Sequence, residues 1–265
     1  MSSYFRRLCL SISMLVLSSG MGFVNSAIAK PNANPTRSNR PSRPKPEKPR
    51  TITFNPPASS GSPTLRSTDG SRNGNRCPSQ LPQVVTYSQG FQTSLKRPTF
   101  WVYLPYTVVD RAADPQQNEI SQNAWMQFIV RDYNSRKILH EEKRIAYPRS
   151  SPGFANLALP ESKQLSPNVT YEWVVEIHCE PRSTVMSKPG LIKYLDSVTK
   201  STGNLPTFEQ IEDYGQNGLW YETIDGLFTL KQQAPNDQQL SENLKQLIEL
   251  TGISTQSDRI FYTKE

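Results

Sequence analysis

The chain has 265 residues, a formal net charge of +7, two histidines and three cysteines. Residues 30–76 hold ten Lys or Arg against two Asp or Glu, and Arg6 and Arg7 add two cations, so residues 77–265 carry a net −3. A mildly acidic folded part behind a basic tail with almost no aromatics argues against a nucleic-acid binder, and two histidines leave little material for metal or triad chemistry.

In chain order, Arg6 and Arg7, an apolar run over 8–24 and the small residues Ala27-Ile-Ala29 predict a secretory signal peptide over 1–29, cleaved after Ala29. The alternative is an uncleaved anchor helix, against which the run is short and serine-rich for the roughly 20 apolar residues a span needs. Cys9 follows Leu8 rather than the small residues of a lipoprotein signal, so lipidation is not expected. The mature chain is therefore expected outside the cytoplasm, periplasmic or extracellular, with no stable membrane span. It keeps Cys77 and Cys179, which in an oxidising compartment read as one structural disulfide. Closing a loop on the order of 100 residues contributes roughly 4–5 kcal/mol in the chain-entropy picture. Two buried thiols or a redox pair are the alternatives, and no Cys-x-x-Cys spacing supports the latter.

Residues 30–76 contain nine prolines with Ser, Asn and Arg between them, which predicts a disordered, polyproline-like linker. Its basic arm (Arg40, Arg43, Lys45, Lys48 and Arg50) reads as part of a spacer, or as a dock for an anionic envelope polymer.

Order is expected from Cys77, in a β-sandwich domain over 77–200. Strands are predicted over 83–87, 97–106, 124–130, 136–146, 154–159, 170–179 and 188–196, with 111–122 as a polar loop. The strand 170–179 alternates most cleanly: Tyr171, Trp173, Val175, Ile177 and Cys179 on one face, Glu172, Val174, Glu176 and His178 on the other. The strand 97–106 is apolar on both faces, Phe100, Val102 and Leu104 against Trp101 and Tyr103, so it is either doubly covered or displays aromatics. Leu165, a Pro-containing turn and Tyr171 before Trp173 match the tyrosine corner of immunoglobulin-like sandwiches in outline.

Three helices are expected over 205–253: 206–216, 219–233 with a stripe of Trp220, Ile224, Leu227, Phe228 and Leu230, and 238–250, capped at Gly252. Residues 254–265 read as a tail. The pattern Tyr214-x₃-Gly218-Leu-Trp-Tyr-Glu-Thr-Ile224 followed by Ala234-Pro-Asn-Asp237 resembles a tetratricopeptide-type helix pair, which alone cannot bury its apolar face. The expected class is thus mainly β with a C-terminal α appendage: an immunoglobulin-like antiparallel β-sandwich followed by a three-helix tetratricopeptide-like segment.

Cys77-Pro78, Arg97-Pro-Thr-Phe-Trp-Val-Tyr-Leu-Pro-Tyr106, Tyr171-Glu-Trp173, Cys179 and Gly218-Leu-Trp-Tyr-Glu-Thr223, taken in order and spacing, are similar to a family of exported cyanobacterial proteins catalogued as domain of unknown function 928. The resemblance covers about 76–253. It implies an extracytoplasmic place in a photosynthetic bacterium and brings no activity or catalytic residues.

Catalytic constellations are missing from the sequence. No Gly-x-Ser-x-Gly, Gly-x₄-Gly-Lys or Gly-x-Gly-x-x-Gly occurs, and His140 and His178 lack triad or zinc spacing. Glu172 and Glu176 share a strand face roughly 13 Å apart, too far for glycoside cleavage, and read as solvated. The expectation is a non-enzymatic envelope protein without cofactor or metal, a recognition or accessory module for another envelope component. The alternative is a carbohydrate or wall-polymer module. Candidate surfaces are Trp101, Tyr103 and Trp125 on the strands and Trp220 and Tyr221 on the helices.

Overall fold

The computed structural model describes residues 50–57, 77–88, 91–148, 152–180, 183–196, 205–254 and 260–262. All lie in one compact unit, Lys48–Glu265. The signal peptide, Arg40, Arg43, Lys45 and Lys48 of the basic arm, residues 58–76 and most of the tail lie outside the described residues.

Twelve strands and three helices are described: β1 (Gln83–Val84), β2 (Gln92–Thr93), β3 (Thr99–Leu104), β4 (Thr107–Val109), β5 (Glu119–Ser121), β6 (Trp125–Asp132), β7 (Ile138–Ala146), β8 (Gly153–Ala158), β9 (Thr170–Glu180), β10 (Ser183–Met186), β11 (Gly190–Tyr194), α1 (Phe208–Gln216), α2 (Trp220–Gln233), α3 (Gln238–Leu250) and β12 (Ile260–Tyr262). One sheet has the order β1-β3-β8-β12 and the other β2-β11-β9-β6-β7, with β10 also on β9; β4 and β5 pair apart. The class is mainly β with three C-terminal helices, as the periodicities predict. The pairing is not purely antiparallel: β2 joins β11, β12 joins β8 and β4 joins β5 in parallel. These partners are two- and three-residue strands, too short for an alternation pattern to register.

The two larger sheets face each other across aromatic rings. Phe100 on β3 lies 5.1 Å from both Phe128 on β6 and Trp173 on β9. On β9 the predicted inward set, Tyr171, Trp173, Val175, Ile177 and Cys179, is buried. The Tyr171 hydroxyl accepts from the Ser166 backbone N–H at 3.2 Å. Residues 111–122, read as a polar loop, instead hold a 3-10 turn and β5; the Asp114 side chain caps the turn, and Glu119 accepts from the Asp114 N–H.

Both faces of β3 are covered. Phe100, Val102 and Leu104 meet the other sheet side, and Trp101 stacks on Phe228 of α2 at 4.0 Å. The helices and the sheets therefore share one continuous apolar cluster. Thr207 and Gln210 form a capping box that starts α1, Asp237 caps α3, and Gly252, at φ +75°, takes the left-handed turn after it.

One segment of the predicted linker packs on the helices. Within 30–76, residues 50–57 form an extended strap across the helices. Ile52 is buried, and Phe54 meets Trp220 edge-on at 5.0 Å. Asn243 of α3 accepts from the Ile52 N–H at 2.6 Å and donates to the Arg50 carbonyl at 3.1 Å, so one side-chain amide reads two backbone groups. Gly215 is required there, because a Cβ would lie 2.5 Å from the Thr53 carbonyl oxygen. Proline-rich composition hides the segment Ile52-Thr-Phe54, whose two alternating apolar residues are enough to seat it.

Candidate functional site

Cys77 and Cys179 are joined, with Cα atoms 5.6 Å apart, tying the start of the sheet-bearing part to the end of β9. Four of the five candidate surface aromatics are not at the surface. Trp101 and Tyr103 are 1% exposed, Trp220 and Tyr221 no more than 1%. Their polar handles face inward too: Trp101 Nε1 donates to Asp225 Oδ1 at 2.9 Å, and Trp220 Nε1 donates to the Val85 carbonyl. Tyr221 donates from its hydroxyl to the Leu191 carbonyl at 2.6 Å and accepts from Trp173 Nε1 at 2.9 Å, which joins α2 to the neighbouring strands β11 and β9. The reason is architectural: α2 needs cover for its apolar stripe, and the second face of β3 supplies it.

Trp125 remains partly exposed, on the outer face of the five-strand path. It stacks on His178 with ring centroids 3.6 Å apart. His178 faces Glu176 at 3.5 Å and Thr184 Oγ1 at 3.2 Å. Burial holds the His178 imidazole below its ordinary value, while Glu176 pulls the other way. His140 contacts Glu142 at 3.7 Å and Phe128 edge-on. Both histidine side chains are thus largely covered. Among the described residues no cluster of three His, Cys, Asp or Glu is placed to hold a metal.

Glu172, read as solvated, is 4% exposed. One oxygen pairs with Arg131 and the other with Arg136, so the carboxylate is clamped by two guanidinium groups reaching in from solvent. Sequence reasoning missed it because Arg131 lies directly opposite on β6 and Arg136 enters from the turn that follows, a register no local pattern reports. Arg50 is likewise not a free arm cation: it pairs with Glu212 at 3.1 Å and sits over the Phe208 ring.

Under α2 lie two carboxyls of a different kind. Glu222 is 4% exposed, and its Oε1 accepts from Thr93 Oγ1 at 2.9 Å and from the N–H and Oγ of Ser94; its Oε2 has no partner among the described residues. Burial pushes the Glu222 carboxyl above its ordinary value, which the neutral donors only partly offset. Asp225, one turn on, is also raised by burial, with the Trp101 and Thr99 hydrogen bonds acting against it. Both carboxyls are engaged by residues of the strands, Glu222 by Thr93 and Asp225 by Trp101, so the pair suits a structural latch between α2 and the strands.

The open apolar surface is elsewhere, at the C-terminal end of α3, where two grooves meet at Gly252 and Ile253. The first, of about 450 Å³, runs between Leu81, Pro82 and Tyr87 on one wall and Leu191, Leu250 and Ile253 on the other. Leu250 is 46% exposed at its rim. The second, of about 530 Å³, lies between α3 and Phe154 of β8. No described helix is long and apolar enough to cross a membrane. Compared with curated proteins, the chain matches none. The family model described as Domain of Unknown Function (DUF928) matches residues 67–259, most of the chain and all of its disulfide, sheets, helices and both grooves except the strap and the final strand, and the chain belongs to that family.

Proposed function

We propose that this chain is a non-enzymatic exported protein of the cell envelope that recognises or assists another envelope protein. The observation carrying this reading is the redistribution of apolar surface. Trp101 and Tyr103, which would stack on sugars, are buried, whereas the groove walled by Leu81, Pro82, Leu191 and Leu250 stays open beside a helix end. A partner offering a mainly apolar segment suits it, since the walls are more apolar than polar, with Gln83, Thr86, Ser88 and Thr251 among the leucines and prolines, and Lys188 is the lining's one charged residue. The carbohydrate alternative keeps Trp125 alone of its strand aromatics, and that ring already stacks on His178.

The same reading takes the facing sheets and the Tyr171 corner as an immunoglobulin-like sandwich, and the three helices as a tetratricopeptide-like appendage whose apolar face is met by the strands and by the strap at 50–57. The predicted signal at 1–29 supports export, and the likeness of motifs stated above supports a cyanobacterial envelope as the setting.

The test is affinity capture from the source envelope with the intact mature chain and two variants, Leu250→Arg and Leu81→Arg. A partner that copurifies with the intact chain and is lost with both variants, at unchanged thermal midpoint and intact disulfide, supports the reading. Recovery of the same proteins with all three chains overturns it.

A further inference from the structure

The second groove carries a charge that its surroundings do not balance. Lys231, in the last turn of α2, is 7% exposed. Its ammonium donates to the Pro235 carbonyl and to the Ser241 hydroxyl, both neutral, and no carboxylate lies within ion-pair distance of it among the described residues. A buried cation ordinarily has an anion beside it, as the Glu172 carboxylate has its two arginines. The negative end of the α2 dipole compensates at most about half a charge. It also leaves unexplained a second cation: Lys245 follows Ser241 by one helical turn, lines the same groove, and has no ion-pair partner among the described residues.

Beyond these groups the lining turns apolar, with Leu244 and Ile248 on α3, Phe154 on β8 and Ile253 past the helix end. From Ser241 to Ile248 the helix rises roughly 10 Å. Glu249, the acid of the lining, stands eight residues from Ser241, roughly 12 Å along the helix, at the end away from Lys231. The groove is thus cationic at one end, hydrocarbon along its length and acidic at the far rim, with a volume in the range of small-molecule sites.

We propose that this groove binds a single-chain amphiphile with a carboxylate headgroup, the head held by Lys231, Ser241 and Lys245 and the chain lying along Leu244 and Ile248 toward Ile253. Glu249 repels a head bound in the reverse sense. The inference does not rest on the recognition of a protein partner, because the two grooves share only Gly252 and Ile253.

The experiment is calorimetric titration of the full mature chain with dodecanoate, dodecanol and dodecyltrimethylammonium, each below its micelle concentration. Saturable 1:1 binding of dodecanoate is expected, at least about ten-fold tighter than the other two, the scale of one charge-assisted hydrogen bond. Lys245→Met, at an exposed position that leaves the fold intact, is expected to weaken dodecanoate about ten-fold, and Lys231→Met by more. Leu250→Arg, in the other groove, leaves it unchanged. Absence of dodecanoate binding, equal affinity for the three amphiphiles, or indifference to Lys245→Met overturns the proposal. So does a peptide with an apolar free C-terminus that binds where dodecanoate does not, which reassigns the groove to a protein ligand.

Discussion

Two buried glutamates show how differently this molecule treats a carboxyl. Glu172, on the outer face of β9, is as hidden as Glu222 on α2, both 4% exposed. The first is bracketed by Arg131 and Arg136, the second by a threonine hydroxyl, a serine hydroxyl and one backbone N–H. Burial is therefore not the variable; the charge of the partner is. A guanidinium offers two donors and a counter-charge and keeps its own far side in water, so a sheet face can hide a glutamate beneath two arginines. A helix packed onto strands brings only neutral donors, and the desolvation of Glu222 is only partly offset.

The contrast breaks most visibly if the arginines go. Arg131→Met with Arg136→Met strands the Glu172 carboxylate, and is expected to lower stability at neutral pH by about 3 kcal/mol, read from urea midpoints. An unchanged midpoint would mean that solvent reaches Glu172 and that the clamp is ornamental. Next in size, Glu222→Gln is expected to raise stability at pH 7 by on the order of 1 kcal/mol, because an amide keeps an acceptor for Thr93 and Ser94 without a charge to desolvate.

The pH dependence of stability carries opposite signs at Glu222 and at His178. The folded Glu222 carboxyl titrates above its ordinary value of 4.5, so as pH rises past 4.5 the unfolded chain gives up its proton first and stability falls. Glu222→Gln is expected to flatten that decline in thermal midpoints measured from pH 4 to 8; a decline of the same slope in the variant removes Glu222 as its source. The smallest effect belongs to His178. Its folded imidazole is held below the ordinary 6.5, so stability is intact above that value and is lost as pH falls through it, the unfolded chain taking up the proton first. His178→Gln is expected to change the midpoint at pH 7 by less than about 0.5 kcal/mol, and to blunt only the acid-side loss, an effect opposite in sign to that of Glu222.

Much of the frame was legible because it depends on local periods. The alternation from Tyr171 to Cys179 predicts β9 and its inward face, and residues 219–233 and 238–250 predict α2 and α3 nearly to their ends. Thr207 with Gln210, Asp237 and Gly252 mark helix boundaries through contacts made within a few residues. The disulfide was legible by elimination, since only Cys77 and Cys179 follow the predicted signal. By contrast, β10 was missed because Ser183-Thr-Val-Met186 is four residues long and owes its form to β9 beside it.

What the sequence alone determined, then, is the longer strands, the three helices, and that Trp101 and Tyr103 stand opposite Phe100 and Val102. Whether that second aromatic face looks at water or at a helix was decided by where α2 landed, and Phe228 landed on Trp101. The seating of Ile52 and Phe54 on the helices, the arginines over Glu172 and the uncompensated ammonium of Lys231 were settled in the same way. Each joins residues brought together from different elements, and the free energy of such a meeting depends on burial and counter-charge, which no window of neighbouring residues contains.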